Sequence, residues 1–60
     1  MTVYVNGEKV ELLPGMTVRH ALIQSGHIQK YETGQKVYDE WGSEMGLSGA
    51  LWDGARITVR

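Results

Sequence analysis

Sixty residues predict a single domain, 1–60, with no room for a second. The chain has no cysteine, which excludes disulfides, thiolate zinc sites and cysteine-ligated iron–sulfur clusters. Its formal net charge is −1, with acidic and basic residues interspersed, so it carries no global field for nucleic acid or an anionic membrane.

A domain of this size buries only about 60% of its unfolded surface, so the fold must stand on packing or on a partner. No apolar run approaches the roughly 20 residues of a membrane span. The opening "MTVYVNGEKV" lacks a basic segment followed by an apolar one, so no secretory signal is expected. The cysteine-free composition suits a reducing, cytoplasmic setting.

In "TVYVNGEKVEL", Val3 and Val5 alternate with Thr2 and Tyr4, and Val10 and Leu12 alternate with Lys9 and Glu11. Between the runs sits Asn6-Gly7, the pair that best tolerates the positive φ of a tight hairpin turn. Pro14 and Gly15 then break the strand. Thr17 is the expected helix N-cap, its hydroxyl accepting a backbone N–H of the first turn. Val18, Ala21, Leu22 and Ser25 follow at helical spacing as one narrow stripe, and Gly26 ends the helix after about 8 to 10 residues. "HIQKYETGQ" reads mostly as loop, with Ile28 tucked under the helix end. "KVYDEWGSEMGL" reads as a second, shorter hairpin turning near Trp41-Gly42-Ser43. Asp53-Gly54 turns into "ARITVR", where Ile57 and Val59 alternate with Arg56, Thr58 and Arg60 in a half-buried strand.

Two hairpin-like units around one helix share a core only if the helix lies across a single sheet, with the first and last strands parallel neighbours at its centre. The expected fold class is α+β, a mixed sheet of four or five strands with one α-helix across it. In that order of elements, "VYVNGEKVEL", "LPGMTVRHAL", "VYDEWGSE" and "LWDGARITV" resemble the β-grasp, or ubiquitin-like, superfamily over nearly the whole chain. The resemblance is nearest to the small sulfur-carrier proteins of thiamin and molybdopterin synthesis. Such carriers act through a flexible tail ending in Gly-Gly, because a terminus entering a narrow active site must be extended and free of side chains. The sequence closes instead on Thr58-Val59-Arg60, so the carrier reading requires a continuing chain that ends in Gly-Gly. Plant-type ferredoxins open with a similar pattern, but their cluster needs cysteines. TGS-type domains appended to RNA-related enzymes need no special residues and stay open as a third reading.

No catalytic set assembles from the sequence. Ser25 beside His27 has no activating partner, and His20 and His27, seven apart, read as surface histidines rather than zinc ligands. Asp39, Glu40 and Glu44 read as solvated carboxylates. Gly46-Leu47-Ser48-Gly49 matches a bare GxxG, but without basic residues it reads as a turn. No enzyme activity, cofactor or metal is expected. Alternation places Thr2, Tyr4, Lys9, Glu11, Arg56, Thr58 and Arg60 on the sheet face away from the helix, with nothing in the chain to cover them. Trp41 and Trp52 sit at turns, where they either cap the ends of a small core or join an interaction surface. The function expected is that of a non-catalytic, ubiquitin-like protein-binding module. Its candidate contact residues are Tyr4, Lys9, Arg56, Arg60, Trp41 and Trp52, and its partner is a protein rather than a membrane or nucleic acid. Oligomeric state is not legible from these residues.

Overall fold

The computed structural model describes residues 1–60, and its first turn is built where the Asn-Gly pair stands: Asn6 and Gly7 lie at φ 50° and 84°. Those angles match the right-handed twist of the strands they join. Strand β1 (Thr2–Val5) therefore pairs antiparallel with β2 (Glu8–Glu11), bringing Val3 opposite Val10.

Helix α1 (Val18–Ser25) begins at Thr17. The capping box there draws on His20: the Thr17 N–H donates to His20 Nδ1 at 3.0 Å, and the Thr17 hydroxyl lies 3.1 Å from the same nitrogen. The next two donors are also satisfied, Val18 N–H by the Gly49 carbonyl at 3.1 Å and Arg19 N–H by that of Leu47 at 2.9 Å. This explains the GxxG stretch. A Cβ on Gly49 would meet the Gly46 carbonyl at 3.1 Å and Val18 Cγ2 at 3.3 Å, so glycine lets the loop close on the helix end. At the other end Gly26, at φ 80°, terminates α1, and the N–H groups of Gly26 and His27 return to the Ile23 and Leu22 carbonyls.

The expectation of one helix needs correction. Ile28–Glu32, read from sequence as loop, forms a second short helix, α2. Five residues cannot hold a helix by propensity. Here Ile28 and Tyr31 pack against the core, and the Thr33 hydroxyl donates to the Lys30 carbonyl at 2.9 Å. His27, expected at the surface, is 9% exposed, because the Gly26 turn folds it beneath the helix junction. Both ring nitrogens are buried without a hydrogen-bond partner, and Glu8 Oε2 stands 3.8 Å from Nε2.

The second hairpin is β3 (Val37–Tyr38) with β4 (Glu44–Met45), and β5 (Arg56–Val59) completes the sheet. Asp39, expected to be merely solvated, organises the β3–β4 turn: its Oδ1 accepts the N–H groups of Trp41 and Ser43, both at 2.9 Å. The strands lie in the order β2-β1-β5-β3-β4. β1 and β5 run parallel at the centre, Tyr4 beside Arg56 and Val5 beside Ile57, while β3 is antiparallel to β5. The result is a mixed five-stranded α+β architecture with two short helices. Val3, Val5, Val10, Ile57 and Val59 meet Val18, Ala21 and Leu22 of α1 in the core. Ala55 also lies fully buried there, one step before Ile57 and Val59 on the same alternation. No helix is long and apolar enough to cross a membrane.

Candidate functional site

The face of the sheet opposite the buried valines carries a row of three residues in register, Lys9 on β2, Tyr4 on β1 and Arg56 on β5. The Arg56 guanidinium carbon sits 4.4 Å from the centroid of the Tyr4 ring, a cation–π stack between adjacent parallel strands. A second stack repeats the arrangement on the other side of β5. Tyr38 faces Thr58, and Arg60 lies over the Tyr38 ring at 4.6 Å. Arg60 is held in the sheet by backbone bonds exchanged with Lys36, 2.9 Å in each direction.

The lysines of this face are already paired within the chain, Lys9 with Glu11 at 3.7 Å and Lys36 with Glu44 at 3.9 Å. Both pairs are largely exposed and contribute little to stability. Neither arginine has a carboxylate or hydrogen-bond partner of its own. Charge is therefore sorted in space although the chain is near neutral. Lys9, Lys36, Arg56 and Arg60 share the open face with only Glu11 and Glu44. The other carboxylates are Glu8, aimed at His27, Glu32 on α2, and Asp39, Glu40 and Asp53 in turns.

Trp41 and Trp52 form a second aromatic cluster at the end of the sheet where β1 and β5 begin. The antiparallel β3–β5 pairing brings the two turns together, and the rings stack with centroids 6.0 Å apart at 30°. Trp41 is 72% exposed and Trp52 41%, so they cover each other more than they cover the core. Trp41→Ala is accordingly expected to lower stability by only about 0.5 to 1 kcal/mol in urea titration, while changing the near-ultraviolet dichroism of the remaining Trp52. A loss several times larger would make Trp41 a core cap.

Alternation across the first hairpin and last strand placed Tyr4, Lys9, Arg56 and Arg60 on one face. It missed Tyr38, Lys36 and Glu44, which join them because β3 and β4 extend the same face. Reading the alternation through the second hairpin would have found them. Other candidates serve the fold. His20 caps α1, and the Ser25 hydroxyl donates to the Leu22 carbonyl at 3.2 Å, turned into its own helix. No three His, Asp or Glu side chains converge as a metal-binding group. On the helical side, Arg19, Ile23, Ile28, Tyr31, Glu32 and Leu47 line an open groove of about 590 Å³. It offers apolar shape, but the buried unbonded nitrogens of His27 do not line it.

No family model, curated protein or solved structure matches the chain.

Proposed function

We propose that the chain is a ubiquitin-like module of β-grasp type, without catalytic activity of its own, that binds a protein through its open sheet face. The strand order, the parallel central pair and the helix crossing one side are what the sequence resemblance implies for that superfamily. The observation that carries the reading is the uncovered face itself. Two tyrosines are each overlain by an arginine there, types that recur among the residues dominating protein interfaces. The Trp41–Trp52 stack adds a second exposed aromatic pair at one end of the sheet.

Exchange of Tyr4 and Arg56 together for alanine removes one complete stack from the middle of the face. The double variant is expected to lose at least tenfold in affinity for a partner recovered by pull-down, since two truncated anchors each cost more than about 1 kcal/mol. Its far-ultraviolet dichroism should stay that of the parent. Undiminished binding would remove this face as the docking surface.

A further inference from the structure

Resting on that docking reading, we infer that the partner presents an acidic protein surface, and that Arg56 and Arg60 each grip one of its carboxylates. A guanidinium held over a tyrosine face is attracted by the ring, which does not use up its fan of N–H donors. In this chain neither guanidinium has a carboxylate partner, whereas Lys9 and Lys36 stand 3.7 and 3.9 Å from Glu11 and Glu44. Stacking limits the rotamers that binding must still freeze, and the planar fork matches a carboxylate with two parallel hydrogen bonds. Arg56 opens β5 and Arg60 directly follows its end, four residues on and about 13 Å away along the strand direction. An extended acidic segment with carboxylates on every second residue presents that spacing on one side.

Phosphate would satisfy an isolated arginine equally well, but the rest of the face favours separate carboxylates. Each tyrosine ring already has a guanidinium over one face, which leaves less of it open for bases to stack on. Glu11 and Glu44 flank the arginines on the outer strands β2 and β4, so a continuous phosphate chain crossing the sheet would meet carboxylates on both sides.

The test is a titration of the ¹⁵N-labelled full chain at low salt, followed by NMR. The probes are a peptide of about a dozen alternating Glu and Thr residues, its Gln-Thr counterpart, and an oligouridine of similar charge. The Glu peptide is expected to move the Arg56, Thr58 and Arg60 signals saturably. The Gln peptide should move none, and oligouridine should bind at least tenfold more weakly. R56Q and R60Q should each weaken the Glu peptide about tenfold, as loss of one charge-assisted pair implies. The lysine variants R56K and R60K should recover only part, since lysine keeps the charge without the fork. Equal or tighter oligouridine binding, shifts confined to another surface, or full recovery by lysine would overturn the inference. So would a protein partner that is lost on the Tyr4/Arg56 exchange yet not displaced by the Glu peptide. That last result would leave the docking face standing, whereas a partner indifferent to the exchange would remove both.

Discussion

Leu22→Ala is expected to lower the melting temperature by about 12 to 24 °C, the shift that a loss of about 3 kcal/mol produces in a domain this small. Leu22 is 0% exposed and the largest fully buried side chain of the protein, on the face of α1 that meets the sheet. Eight residues are too few for a helix to persist alone, so α1 is ordered by the surface it buries. Truncating Leu22 removes buried methyl groups and leaves a cavity that the neighbouring valines, stiff at χ1 and fixed in strands, cannot close. A chain of sixty residues holds roughly 3 to 9 kcal/mol in total, so the variant forfeits a third or more of its stability. Leu13 supplies the control: it is 67% exposed, and Leu13→Ala should stay within about 0.5 kcal/mol of the parent. Leu22→Met, which nearly conserves volume, should lose less than about 1.5 kcal/mol. Thermal and urea unfolding followed by dichroism measure all three. A Leu22→Ala variant no weaker than Leu13→Ala would mean that α1 does not bed on the sheet.

What the sequence disclosed and what it concealed divide by range. The Asn6-Gly7 turn, the Val18–Ala21–Leu22 stripe and the Gly26 stop are local signals, and each corresponds to an element in the structure. The parallel union of β1 with β5 could be argued because alternating runs at both ends of so short a chain have only one core to share. Helix α2 left no pattern, because one turn of helix has no period to read and its support comes from packing on α1 and the core. His27 carries no mark of burial either, since the Gly26 turn rather than its neighbours decides its position. For the candidate face, alternation gave the membership of β1, β2 and β5. The stacks of Arg56 on Tyr4 and Arg60 on Tyr38, and that of Trp41 on Trp52, depend on strand register, which one sequence does not print. The sorting of charge escaped the composition for the same reason: a net value of −1 says nothing about which side each charge occupies.

Asn6→Ala should cost about 2 to 4 kcal/mol, a large effect for an exposed turn residue, because Asn6 both makes the first turn and fastens the last strand. The Asn6 N–H donates to the Ile57 carbonyl at 3.0 Å, the final backbone rung between β1 and β5. Past this point the first hairpin turns away, and the asparagine amide takes over where backbone pairing stops. Its Oδ1 accepts the Val59 N–H at 2.8 Å, and its Nδ2 lies 3.4 Å from the Val59 carbonyl. Alanine removes both contacts, about 0.5 to 1.5 kcal/mol each, and costs about 1 kcal/mol more because it lacks the short polar side chain that lets asparagine tolerate positive φ. Three substitutions separate the contributions. Asn6→Asp keeps the acceptor and should be mildest; Asn6→Gly relieves the φ but loses both side-chain bonds; Asn6→Ala loses on both counts. Amide hydrogen exchange supplies the second measurement, since the Val59 N–H should lose protection in the Gly and Ala variants but keep most of it in Asp. Val59 precedes Arg60, so slackening this end of β5 also loosens the ladder that sets Arg60 above Tyr38. Binding through the open face should then weaken in Asn6→Gly although no residue of that face has changed. A Gly variant with parental Val59 protection would show that the strand is held without the asparagine side chain.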